Sequence, residues 1–357
     1  MNSPRVVIKD LDPHRVSEIN KQVLNDFDNV RHHEQWPEDP PRTPEETLGY
    51  WRFVPRYLDL HQRAAWADGE TRVVGRASIN IGRYEQNTHM ADFDIYVVPE
   101  MRRQGIATAL LMEVVQVALN EDRQLLLIST DAEIPAGQAF VERLGGRMGV
   151  ASTTNQLNLA DLNHDLVAQW LKSGRQQTGE FELGLWEGPY PFEHLEDMAT
   201  LKDVMNTAPT DELEIEEFRW TVEDLLQDQQ ALSLKGVQRW TMFVRHIESR
   251  KLAGFTEIFL NPRHLDTVIQ GHTAVMPQYR GQGLAQWLKG EMLDKIIRER
   301  PQVRKIRSDT ADSNTAMLRI NYQLGFKPYK SWTTWQVDLD QALKYLEHSA
   351  SASVQSQ

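Results

Sequence analysis

The sequence predicts an α/β (α+β) fold: two domains in tandem, each a mixed, mostly antiparallel sheet flanked by helices. Three observations predict it. The chain has 357 residues, beyond the size at which one hydrophobic core usually keeps growing. The run Val97-Val98-Pro99-Glu100-Met101-Arg102-Arg103-Gln104-Gly105-Ile106-Ala107 returns as Val275-Met276-Pro277-Gln278-Tyr279-Arg280-Gly281-Gln282-Gly283-Leu284-Ala285, with Arg280 178 positions after Arg102. Seven of the fifteen positions from Val97 to Leu111 match those from Val275 to Lys289. Around both copies, short apolar runs bounded by turn residues alternate with longer runs of helical spacing.

Each copy reads as strand, turn and helix start. Pro99 and Pro277 end an apolar run and cannot donate to a continuing ladder. Gly105 and Gly283 let backbone approach a ligand closely, and Ile106 to Leu119 and Leu284 to Ile297 then have helical length. Amides at such a helix start point outward without intrahelical partners, and the helix dipole favours an anion there. An ordinary strand-to-helix turn without a ligand is the alternative.

The pattern R-x-x-G-x-A after a V-x-P strand end resembles the acyl-CoA signature of GNAT superfamily N-acetyltransferases, and both copies carry it. Asn314, Met317, Asn321 and Gly325-Phe326 resemble a second family motif. The likeness covers nearly the whole chain and is similar to a tandem-domain group of mycothiol-synthase-like architecture, matched from Gly254 to Phe326. It implies acetyl-CoA as donor and a primary amine of a small molecule or peptide as acceptor. The implied cofactor cradles are Val97, Val98, Arg102, Arg103, Gln104, Gly105, Ile106, Ala107 and Thr108, and Val275, Met276, Arg280, Gly281, Gln282, Gly283, Leu284, Ala285 and Asn314. By register with Gly145, the family's asparagine and tyrosine positions fall on Ile134 and Val141, so the first domain lacks the usual proton donor. In the second, the tyrosine position is Asn321, with Tyr322 adjacent.

Composition is that of an ordinary soluble domain pair, with 25% charged and 40% hydrophobic residues. With no cysteine, a disulfide framework, cysteine-ligated zinc and a cysteine nucleophile are excluded. No metal motif is evident. A net charge of -12 argues against nucleic acid as a partner and suits a cationic acceptor, or simply keeps the surface soluble. A basic-plus-apolar leader and a membrane-length apolar run are not seen, so a cytoplasmic protein without a membrane partner is expected. The sequence carries no signature of oligomeric state.

Taken in order, Pro4 to Asp10 alternates as a first strand and Asp12-Pro13 opens a helix to Leu24. His32 to Pro44, with four prolines and adjacent histidines, reads as a loop or lid. Thr43-Pro44-Glu45-Glu46 caps a helix toward Leu58. Strands follow at Gln62 to Trp66, Arg72 to Ile81 around the Asp68-Gly69 turn, and His89 to Val98. Asp92 and Asp94 share a face of that last strand, either as a base or as solvated carboxylates. Gln124 to Ser129 is a strand, Ala136 to Leu144 a helix, and Ala151 to Leu162 completes the first domain.

The expected division is 1–172 as the first domain, 173–178 as linker, 179–345 as the second domain, expected to be the catalytic one by motif completeness, and 346–357 as a disordered polar tail. Phe181 to Trp186 is a strand, Glu193 to Met205 a helix, and Thr210 to Asp228 an acidic helix whose Glu212, Glu216 and Glu217 meet either an amine or water. Trp240 to Ile247 and Leu252 to Leu260 pair as strands. Arg298, Arg300, Arg304, Lys305 and Arg307 either meet a CoA phosphate or complement a helix end.

Acyl transfer to an ammonium requires a base, a stabiliser for the developing oxyanion and a proton for the leaving thiolate. Glu257, in the apolar run Gly254 to Phe259, is the expected base, with desolvation raising its pKa. His272 is the second candidate. Backbone amides near Val275 and Met276 are the expected oxyanion donors. Thiolate protonation falls to Tyr322, Tyr279 or water beside Asn321. A cofactor-binding sensor without transferase activity, or catalysis by the first domain, are the rival readings.

Overall fold

The structure, a computed structural model, describes residues 6–355. Two compact units divide the chain. One runs up to Val150 and takes in Glu212–Ile215 and the chain from Trp332 onward; the other comprises Ala151–Asp211 and Glu216–Ser331.

The first unit holds β1 (Val7–Asp10), α1 (Glu18–Gln35), α2 (Pro44–Arg52), β2 (Leu58–Ala67), β3 (Arg72–Gly82), β4 (Met90–Val97), α3 (Ile106–Asn120), β5 (Leu125–Asp131) and α4 (Pro135–Arg143). Ser17 caps α1 and a Thr43–Glu46 capping box starts α2, satisfying first-turn amides. Neighbouring strands from β1 to β4 are antiparallel, and β4 pairs in parallel with β5 only over Met90–Asp92. Beyond Asp92 the two strands diverge.

The second unit repeats this plan with β7 (Phe181–Glu187), α6 (Leu195–Asp203), α7 (Val222–Leu234), β8 (Gln238–His246), β9 (Leu252–Leu260), β10 (Thr267–Val275), α8 (Leu284–Glu299), β11 (Lys305–Ala311) and α9 (Thr315–Leu324). Again three antiparallel pairings lead to a parallel one, β10 with β11 over Thr267–Gln270, after which the strands part. A bulge between Gln270 and Thr273 bends β10 at that point.

The ends are exchanged. From Ala151, β6 (Arg147–Asn158) pairs with β11, and α5 (His164–Arg175) packs on α8, where a Cβ at Gly174 would lie 2.1 Å from Trp287. From Trp332, β12 (Lys327–Asp338) pairs with β5, and α10 (Leu339–Gln355) packs against α3 in the first unit. Residues 151–172 therefore belong to the second unit and 332–345 to the first, unlike the 1–172 and 179–345 division. The reason is local pairing: each of these strands finds its full ladder on β11 or β5.

Each helical face packs on a sheet. In the first unit Leu110, Leu111, Leu126 and Ile81 are fully buried in one cluster, each side chain stabilising by about 1.5–3 kcal/mol relative to exposure. The second unit has one cluster under α8, α9 and α5 and another under α6 and α7.

Three expectations change. Residues 346–355, expected as disordered tail, continue α10, because Leu339 and Ala342 bury one face and the following Ala/Ser run does not oppose a helix. His32 and His33 end α1 rather than starting a loop. The 209–221 stretch is irregular before α7, with Glu212, Glu216 and Glu217 exposed on it. Pro4 and Arg5, and residues 356–357, lie outside the described residues. Among the described residues no helix is long and apolar enough to cross a membrane.

Candidate functional site

Both recurring turns fold alike. Gly105 and Gly283 sit at the N-caps of α3 and α8 with φ of 81° in each. Two residues earlier, Arg103 (φ 63°) and Gly281 (φ 76°) are also left-handed. This αL-x-αL path turns successive amides toward one concavity ahead of the helix. At Gly105 nothing lies within 4 Å of a would-be Cβ, so the concavity is open.

The arginines brace the turns from behind. Arg102 Nε donates to the Val97 carbonyl (3.0 Å) and its Nη2 to Glu34 (2.6 Å), while Arg280 Nε donates to the Val275 carbonyl (3.1 Å) and its Nη2 to Thr207 (2.7 Å). These two side chains hold strand end to helix start and are already committed within the protein.

In the first unit the turn opens into a cavity of about 460 Å³. Val97, Arg102, Arg103, Gly105, Ile106, Ala107 and Thr108 line it, together with Ile134, Phe140 and Tyr345; Val98 and Gln104 do not. Tyr345, from α10, hydrogen-bonds Thr108 (3.2 Å) and meets Phe140 edge-on. The sequence did not show this wall because Tyr345 falls within 179–345, read as the second domain, whereas it belongs to the first unit. In the second unit Gln177 donates to the Gln282 carbonyl beside the turn, and its Nε2 would lie 3.8 Å from a Cβ at Gly283.

Strand register decides the oxyanion donors. The Met276 amide donates to the Ala253 carbonyl (2.8 Å), so it is occupied and is not an oxyanion donor as expected. Alternate residues of an antiparallel strand face opposite ladders. The Val275 amide therefore points to the side where β11 has already diverged. Val97 occupies the same place in the first unit, where the Val98 amide goes to the Val74 carbonyl (3.0 Å).

Glu257 in β9 is 1% exposed and accepts from Tyr190 (2.7 Å) and Lys202 (3.3 Å), with His272 Nδ1 at 3.4 Å. Burial pushes its carboxyl up, but Lys202 and His272 outweigh that and hold it far below the ordinary range. The expectation of a raised pKa fails because desolvation was weighed without the Lys202 ammonium, which α6 brings in from 55 positions away. His272 stands on the bulge of β10 with its side chain 44% exposed. Its ring reaches solvent while Nδ1 faces Glu257.

The remaining expected residues take ordinary places. Asn314 caps α9, its side chain accepting from the Met317 amide (3.2 Å). Tyr322 is exposed on α9, whereas Asn321 is fully buried and neither carboxamide atom has a hydrogen-bond partner. Asp94 is claimed by Arg31 (2.5 and 2.9 Å), with Arg76 at 3.7 Å. Burial raises the Asp94 carboxyl and the two arginines lower it further, with a net fall. Asp92, the last residue paired with β5, is exposed, while desolvation by the atoms packed around it pushes its carboxyl up to about 6. The basic cluster disperses: Arg298 faces Asp294, Arg300 lies over Trp240 and Arg307 donates to Gln156.

Comparison with known proteins adds to this geometry. The model described as "Acetyltransferase (GNAT) family" matches residues 26–145 and 207–326. Among solved structures, the chain is similar to a tandem GNAT protein from the clavulanic acid biosynthesis pathway, with a TM-score of 0.75 and 23% identity over 94% of this chain and 99% of that one. It also resembles a GCN5-related N-acetyltransferase from Sphaerobacter thermophilus, with a TM-score of 0.63 and 14% identity over 94% and 96% of the two chains. The comparison with curated proteins returns no match.

Proposed function

We propose, from the premise that this chain belongs to the acetyltransferase (GNAT) family, that its second unit moves an acetyl group from acetyl-CoA to a primary amine by direct attack on the thioester. The observation that carries this reading is the pair formed by the enclosed Glu257 carboxylate and the exposed His272 ring. Glu257 cannot itself meet a substrate. Accepting from His272 Nδ1–H, it orients the ring and leaves Nε2 to take the ammonium's proton, the geometry a general base needs.

The other roles follow from position. The turn at Gly283 would cradle the pyrophosphate on α8's first amides, and the free Val275 amide would receive the charge that develops on the carbonyl oxygen. The amine's lone pair forms the new C–N bond, the C–S bond breaks, and the thiolate leaves beside α9. The open cavity and the raised Asp92 support a second reading, in which the first unit also binds donor and works with Asp92 as base.

The test is turnover, followed as free thiol released from acetyl-CoA with a panel of amines. His272→Gln is expected to lower kcat/KM by about 10²–10⁴, with Gly283→Glu abolishing turnover and Asp92→Asn leaving it unchanged. Full activity of His272→Gln at every pH, with Asp92→Asn inactive, moves catalysis to the first unit.

A further inference from the structure

The second unit carries polar residues at four places where the first carries core. Ser308 pairs with Asn155, and at the corresponding ladder position Ile128 pairs with Trp335. Asn321 and Val141 each lie four residues before the left-handed glycine that ends their helices, Gly325 and Gly145. Lys289 stands where the repeat places Leu111. The four first-unit residues all belong to one hydrophobic cluster. Each has a polar replacement in the second unit, and all four replacements are buried.

These replacements do not satisfy one another. Lys289 is 3% exposed, yet its ammonium has no hydrogen bond or ion pair with any described residue, and burial alone lowers its pKa to about 8. Both ends of the Asn321 carboxamide and the Asn155 oxygen lack partners. So does the Thr310 hydroxyl, whereas in the first unit Thr130 receives the Trp335 indole N–H (2.8 Å). Two other buried lysines of this unit are paired, Lys202 with Glu257 and Lys295 with Glu187. Burying one unmatched cation among unmatched amides is costly without an anion to meet it.

Lys289 does not share the helix face of the paired Lys295. Lys295, on the same helix, reaches Glu187 of β7 (2.7 Å). Lys289 lies about 120° around the helix from it, on a face turned away from the one that meets β7; in the sheet, Ser308 is next to the point at which β10 and β11 part. That divergence begins below the α8 turn assigned to the donor's pyrophosphate.

We propose that the second unit takes a thioester donor whose acyl chain ends in a carboxylate, received by Lys289 and Asn321. This rests on the acyl-CoA reading of that unit and deepens it from acetyl to an acidic acyl group. The apolar set Leu111, Ile128, Val141 and Trp335 then leaves the first unit to neutral acyl groups.

The experiment is calorimetric titration of succinyl-CoA, butyryl-CoA and acetyl-CoA into the full chain carrying Gly105→Glu, which obstructs the first cradle. Succinyl-CoA is expected to bind at least about tenfold tighter than butyryl-CoA, with the preference gone in Lys289→Met while butyryl-CoA binding is kept. Lys289→Leu, which installs the first unit's residue, gives the same readout should the methionine variant misfold. Equal binding of the three donors overturns the carboxylate proposal and leaves the acyl-CoA reading standing. Stabilisation by free succinate with no preference for succinyl-CoA marks a small-anion site and also overturns it. Failure of every thioester to bind overturns both readings together.

Discussion

Glu257 and Lys289 are buried ionisable groups whose pKa values move stability in opposite directions with pH. Glu257 is held below its ordinary 4.5 by Lys202 and His272 against burial, so its contribution is present above that pH and fades as the solution becomes more acid. Removing the carboxylate by Glu257→Leu strands the Lys202 ammonium and is expected to cost about 3–5 kcal/mol at neutral pH, a gap that narrows in acid. Lys289 is lowered from 10.5 to about 8 by burial. Its penalty is therefore in full force below pH 8 and is relieved as pH rises toward 10.5, amounting to about 3 kcal/mol. Lys289→Met should melt higher than the parent at pH 7, with the two converging at about pH 10.5. Thermal melts across that range decide it, and parallel curves would show that the ammonium is not desolvated. A cation retained at such a cost is what an acidic ligand would offset.

At the scale of elements, the two turns compare one backbone path made with different residues. Arg103 holds the left-handed position that Gly281 holds in the other copy. A side chain there costs about 1–2 kcal/mol, and no atom lies within 4 Å of a Cβ at Gly281 to add a clash. Gly281→Arg should therefore lower stability by about 1–2 kcal/mol while leaving acetyl-CoA binding to the second cradle intact; lost binding would show that the turn needs more than its backbone path. These turns were legible because proline, arginine and glycine occupy fixed offsets, and the strands and helices around them because their periodicity is local. The Glu257 environment was not, since Tyr190 and Lys202 reach it from 67 and 55 positions away. His272 was legible as a candidate, but its facing Glu257 depended on the bulge in β10. Lys289 went unread because a lysine on a helix normally faces water, and its burial follows from how α8 lies on its sheet.

At the scale of the whole molecule, the exchange of ends means that neither unit is a continuous stretch of chain. A cut at the boundary read from composition, giving 1–172 and 173–357, removes from the first unit the Trp332–Asp338 ladder on β5, the Trp335 partner of Thr130, and Tyr345 from the cavity wall. It also takes from the second unit the β6 ladder on β11 and the α5 cover over Trp287. An unpaired β5 or β11 would expose a row of backbone donors and acceptors, together with the apolar face it carries. Each fragment alone is expected to lack a cooperative melting transition, and co-expression should restore both transitions along with acetyl-CoA binding. A fragment 1–172 that unfolds cooperatively by itself and binds acetyl-CoA would show that β12 and α10 are dispensable to the first unit. The linear motif order along the sequence identifies two cradles, but the chain completes each of them with a strand and helix that lie outside the domain boundaries it suggests.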